Sequence, residues 1–167
     1  MDPKLTLSVL PNTPYCAETA KRAEGLGFQV MLHMPLQNGG KGKAFPGMAR
    51  TADSPEDIAK LTNDAIGQVT GAVGINNHTG SRFTADPKAM DAFLKVVKEH
   101  KLFFIDSRTS SKSTGCAVAK QLGVPTAQRN VFLDNKADAD YIKKQVDELI
   151  TSVRKHGAAI GICHFRP

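Results

Sequence analysis

Short apolar runs separated by longer amphipathic segments constrain this chain more than any other feature. Residues 5–11 (LTLSVLP), 28–35 (FQVMLHMP), 72–75 (AVGI), 102–106 (LFFID), 124–134 (VPTAQRNVFLD) and 158–164 (AAIGICH) have the length and β-branched or aromatic content of buried strands. Between them lie segments of helical spacing. Residues 16–27 stop at Gly25 and Gly27. Residues 54–69 open on Ser54 and Pro55 with Glu56 and Asp57 in the first turn, residues 86–101 open on Asp86 and Pro87, and residues 111–123 and 138–157 complete the set. Strands alternating with helices predict an α/β fold with a mostly parallel sheet, closed as a barrel or open and doubly wound. The rhythm runs unbroken over residues 1–167, which read as a single domain.

Composition narrows the function classes. The 167 residues are 41% hydrophobic and 23% charged, ordinary for a globular domain. The net charge of +6 comes from lysines and arginines interspersed with acids, and there is no tryptophan. That pattern gives a solvated surface rather than a nucleic-acid face. No apolar run reaches the roughly 18 residues that cross a bilayer, and the first residues carry no signal-peptide pattern. Cys16, Cys116 and Cys163 lack metal-ribbon spacing and read as free thiols. A Cys163–His164 nucleophile is disfavoured, because neighbours in an extended strand point to opposite faces.

The chemistry gathers where strands end. His33, then Asn76, Asn77 and His78, then Asp106, Asp134 and His164 each close an apolar run. In parallel β/α folds the active site forms at those carboxyl ends. The polar run NNHTGS is expected to follow its strand rather than continue it, since buried polar groups require partners. Imidazoles and carboxylates converging on one mouth suit zinc or a similar divalent ion, or else a metal-free acid/base pair. Gly80 and Ser81 suit a backbone oxyanion site or a plain helix-entry turn. Arg82, Arg108 and Arg166 suit an anionic substrate group, although surface salt bridging is the simpler reading. His100 and His156 lie near helix ends, where capping explains them. The glycine- and lysine-rich segment 39–47 reads as a mobile surface loop or as a lid.

Taken together, LTLSVLPNTPY, QVMLHMPLQ, GAVGINNHTGSRFT, LFFIDSRTSS, VPTAQRNVFLDN and AIGICH resemble, in order, the divergent polysaccharide deacetylase family, the YibQ-like branch of the NodB-type carbohydrate esterases. The resemblance implies a distorted (β/α) barrel with a divalent metal, usually zinc, at the strand ends. It implies a metal-dependent hydrolase that deacetylates N-acetylated polysaccharide or a related glycan through metal-activated water. By position, His33 and His78 would be metal ligands, Asp106 the acid that tunes a catalytic histidine, and His164 the general acid. Asn77, Ser81, Arg82 and Arg108 would contact substrate.

Two departures accompany the resemblance. Relatives open with a strand ending in a paired-aspartate motif that supplies a ligand and the base, and Gln37 stands where many carry glutamate. Relatives also continue past the position of His164 into a further helix and strand, so the expected barrel is incomplete at both ends, and the sequence leaves open both a fragment of a longer chain and a barrel completed by a second copy. The alternative function is a non-catalytic glycan-binding or scaffolding domain. Relatives of this kind are commonly exported to the periplasm or cell envelope.

Overall fold

The computed structural model describes residues 4–40 and 44–165. Lys41, Gly42 and Lys43 of the lysine-rich loop, and Arg166, lie outside the described residues. The chain divides into two compact units, Met1–Ala127 and Gln128–Pro167.

In the first unit β1 (Thr6–Val9), α1 (Cys16–Gly25), β2 (Gln29–Leu36), α2 (Pro55–Gln68), β3 (Ala72–Thr79), α3 (Pro87–Glu99), β4 (Phe103–Asp106), α4 (Gly115–Leu122) and β5 (Thr126–Gln128) alternate as expected. The sheet order is β1-β2-β3-β4-β5, and β1–β2, β2–β3 and β3–β4 pair in parallel. Residues 124–134 form two short strands rather than one, β5 and then β6 (Val131–Phe132). In the second unit β6 pairs in parallel with β7 (Gly161–Ile162), and α5 (Ala139–His156) connects them. No helix among the described residues is long and apolar enough to cross a membrane.

The helices begin where the sequence places their caps. Ser54 Oγ accepts from the Asp57 N–H, Asp86 Oδ1 from the Lys88 and Ala89 N–H groups, and Asp138 Oδ1 from the Tyr141 N–H. Each satisfies donors that the first helical turn leaves open.

Strand register divides the sheet into two chemically different faces. Leu32, Met34, Leu36, Ile75 and Phe104 join Ala20, Ile58, Phe93, Leu94 and Val118 of the four helices in one apolar core. Phe104 meets the Phe93 ring at 5.8 Å, edge to face. Side chains alternate along a strand, so His33, Asn76 and His78 take the opposite face. There His33 lies beside Asn76, and His78 lies beside Pro35.

The polar run does not leave the strand. β3 continues through Asn76, Asn77 and His78 to Thr79, which corrects the expectation that NNHTGS follows the strand. Burial is tolerated because Asn76, Asn77 and the Nδ1 of His78 each find a partner on a neighbouring strand or loop, which offsets the desolvation of those groups.

The long β2–α2 connection is pinned beside the site. Leu36 and Ala49 form a bridge, the Ala49 N–H bonds to Pro35 O, and the Gln37 N–H bonds to Ala49 O. Asn12 donates to Pro46 O and accepts from Gln68 Nε2. Gly47 has φ +71°, and a Cβ there would lie 2.3 Å from Asn12 Nδ2. Moving Asn12 aside would cost both of its amide hydrogen bonds, and the positive φ strains any side chain at this position. Gly47→Ala is therefore expected to destabilise the chain by about 1–3 kcal/mol, measured by urea denaturation.

Candidate functional site

Register brings two imidazoles together. His33 comes from the middle of β2 and His78 from near the end of β3, and His78 Nδ1 lies 3.1 Å from His33 Nε2. The rings meet edge to face with centroids 4.9 Å apart. His33 Nδ1 sits 2.9 Å from Asn76 Oδ1, and Asn76 Nδ2 donates to Ser107 Oγ at 3.4 Å. From the pinned loop Phe45 stands edge-on over His78 at 4.3 Å between centroids. An aromatic wall on one imidazole lowers the local dielectric and strengthens any charge interaction made there.

Asn77, on the other face of β3, fastens the loops around this pair. Its Oδ1 accepts from the Ser107 N–H at 2.8 Å and its Nδ2 donates to Thr79 O at 2.6 Å. Thr109 Oγ1 donates to the same Thr79 carbonyl. Thr79 and Arg108 both have left-handed backbones, φ 55° and 51°. These bonds hold the two strained turns against each other.

Other residues singled out in the sequence fall elsewhere. Asp106 is one residue past Ile105, the register partner of Asn76, so its side chain takes the helix-facing side of the sheet. Its fully buried carboxyl accepts from Ser113 Oγ at 2.6 Å and from the Arg108 N–H at 2.8 Å. The structure does not bring Asp106 to the imidazole pair. Ser81 Oγ accepts from the Gly39 N–H, and the Arg82 and Phe83 N–H groups both bond to Gln37 O. The Arg82 side chain is exposed, and the Arg108 guanidinium reaches Ser111 O at 3.5 Å. Gln37 turns its amide oxygen to the Thr51 N–H and hydroxyl at 3.0 and 3.1 Å, so it latches the loop.

In the second unit His164 has a carboxylate partner, Asp134, which the sequence marks as a strand-end residue without giving it a role. Asp134 is buried and accepts from His164 N at 3.1 Å, while His164 Nδ1 lies 3.2 Å from Asp134 Oδ2. The His164 side chain itself is 56% exposed. A buried carboxylate at Nδ1 fixes the ring orientation and leaves Nε2 outward. The signal was the strand-end aspartate of VFLD, whose partner only the pairing of β6 with β7 reveals. Partial burial first, and the Asp134 charge second, raise the Cys163 thiol above its usual range. That is the reverse of what a nucleophilic cysteine requires.

Two imidazole nitrogens 3.1 Å apart match the roughly 3.3 Å edge of a tetrahedral zinc site with Zn–N bonds near 2.05 Å. The pair fits as two ligands of such an ion. Among the described residues no group of three or more His, Cys, Asp or Glu side chains is placed to hold a metal.

A parallel β/α domain that carries polar side chains, imidazoles foremost, toward the carboxyl ends of its central strands is the scaffold that the sequence predicts. The family model for divergent polysaccharide deacetylases matches residues 1–167, and the chain belongs to that family. An uncharacterized protein of Haemophilus influenzae is 35% identical over all 167 residues, which cover 60% of its length. The Escherichia coli protein YibQ, also uncharacterized, is 30% identical over the same residues, covering 52% of its length. The chain thus spans little more than half of these curated relatives. The crystal structure of an uncharacterized protein from Agrobacterium tumefaciens C58 shares the fold, with a TM-score of 0.87 at 24% identity over 96% of this chain and 66% of that one. The alternating helices and mostly parallel five-stranded sheet are consistent with the distorted β/α barrel type expected from the sequence.

Proposed function

We propose that this chain carries part of the catalytic machinery of a metal-dependent hydrolase that removes acetyl groups from an N-acetylated glycan of the cell envelope. The observation that carries the reading is the 3.1 Å approach of His33 Nε2 and His78 Nδ1 on adjacent parallel strands, in a member of a deacetylase family. A divalent ion, zinc by the chemistry of the donors, would be held by His33 and His78; when bound it supplies a Lewis acid and a water acidified enough to attack an amide carbonyl.

The chain's own groups divide the remaining work. Phe45 covers one side of His78 and keeps bulk water off it. Asn77 and Ser81 shape the strand-end loops through bonds to protein atoms, and the exposed Arg82, with Arg108, serves the glycan. His164, whose ring Asp134 orients through Nδ1 in the second unit, takes the general-acid role by the family resemblance. Asp106 supports the β4–α4 turn and takes no part in the proton transfer.

A second reading, a glycan-binding or scaffolding domain without catalysis, is favoured by one observation: the described residues offer two ligands where catalytic zinc takes about three. Metal analysis after dialysis against zinc separates the two. The expected result is near-stoichiometric zinc in the parent chain and its loss in His33→Ala and His78→Ala, with circular dichroism unchanged and acetate released from N-acetylated chitooligosaccharides. A zinc-free parent would sink the metal-dependent reading. Retained zinc without acetate release would favour the binding domain.

A further inference from the structure

We infer that Asn76 is a positioning residue that holds His33 in a single tautomer, with the proton on Nδ1 and the lone pair on Nε2. The inference rests on the reading of His33 and His78 as one site, and it adds a residue to which neither the motif nor the family resemblance gives a role.

The geometry is specific. Asn76 is 6% exposed, and its Oδ1 faces His33 Nδ1 at 2.9 Å. A carbonyl oxygen only accepts, so the His33 nitrogen facing it carries the proton. On its other side Asn76 Nδ2 donates to Ser107 Oγ at 3.4 Å, and Ser107 is itself 3% exposed. Backbone register fixes the arrangement further, because His33 and Asn76 are direct partners across the parallel β2–β3 ladder. Their side chains therefore project from the same face at neighbouring positions, with the Cβ positions of both set by the strand pairing.

This tautomer serves both states of the pair. With Nδ1 protonated, His33 Nε2 accepts from the His78 Nδ1–H at 3.1 Å when no ion is held. The same lone pair is the one a divalent cation would take. Asn76 thus removes the cost of reorganising His33 on metal binding. The opposite tautomer would aim a proton at the place where the cation or the His78 donor must sit. A merely structural asparagine in this strand would stabilise the sheet without discriminating between the two ring nitrogens.

Long-range ¹H–¹⁵N correlation spectra of the zinc-free chain test the tautomer directly. The expected result is Nδ1-protonated His33 in the parent, loss of that bias in Asn76→Ala, and its return in Asn76→Asp, whose carboxylate accepts the same proton. Zinc competition against a chelator gives the second readout. Asn76→Ala is expected to weaken binding about 10–100-fold, with Asn76→Asp restoring it. Nε2-protonated His33 in the parent would overturn the inference, as would an Asn76→Ala variant that changes neither tautomer nor zinc affinity. If the parent binds no zinc, the metal-dependent function fails, and the spectra of the metal-free chain still decide the role of Asn76. Should Asn76→Ala fail to fold, the parent spectrum and Asn76→Asp decide it.

Discussion

Asp106→Ala is expected to lower the unfolding free energy by about 3 kcal/mol, since two hydrogen bonds to one buried carboxyl group disappear and their donors remain without acceptors. Asp106 is fully buried, and Ser113 Oγ and the Arg108 N–H are the donors in question. Arg108 adds to the loss, for its left-handed φ of 51° costs about 1–2 kcal/mol without compensation. At this chain length about 3 kcal/mol corresponds to a melting temperature roughly 6–12 °C lower. Asp106→Asn keeps an acceptor for the Arg108 N–H and should lose about half as much. Thermal denaturation of the three proteins reads this out. A melting temperature unchanged in Asp106→Ala, together with lost activity, would instead place Asp106 in the chemistry, where the sequence first put it.

The second large effect concerns His164. On the proposed reading, His164→Ala lowers turnover by about 10²–10⁴-fold, the usual contribution of a positioned general acid. KM and zinc content should stay put, because a group that acts in the transition state contributes little to ground-state binding. Asp134→Asn is expected to follow most of the way. His164 Nδ1 would lose a carboxylate 3.2 Å away and face an amide that can donate as well as accept, which frees the ring to turn. Acetate release from N-acetylated chitooligosaccharides, with zinc measured in parallel, checks both variants. Turnover unchanged in His164→Ala would remove His164 from the mechanism.

The sequence made the elements legible because each is signalled locally. Ser54, Asp86 and Asp138 announce helix starts through bonds to residues two or three positions away, and the apolar runs announce strands by their own composition. Although His33 lies in the middle of β2, and Asn76, Asn77 and His78 lie within β3 rather than beyond it, the candidate residues were legible as polar groups behind apolar runs for the same reason. Which of them meet was not, because that depends on register between strands far apart in sequence. His33 and Asp106 look alike in the sequence, each behind an apolar run. Parity along β2, β3 and β4 sends His33 to the polar face and Asp106 to the helical one. Asp134 and His164 are thirty residues apart and become partners only through the β6–β7 ladder. Gln37 shows the same limit: four residues after His33 it resembles a ligand position, whereas its amide oxygen is taken by Thr51.

The continuation of β3 through its polar run bears on how such a protein can diversify. His33 and His78 sit on neighbouring strands, so their separation is inherited from the spacing of the backbone hydrogen-bond lattice, about 4.8 Å between strands. Loops that vary in length and composition from one relative to the next leave that lattice unchanged. The donor pair is therefore a fixed gauge, and selection on the segments around Phe45 and Arg82 can change what is recognised without recalibrating it.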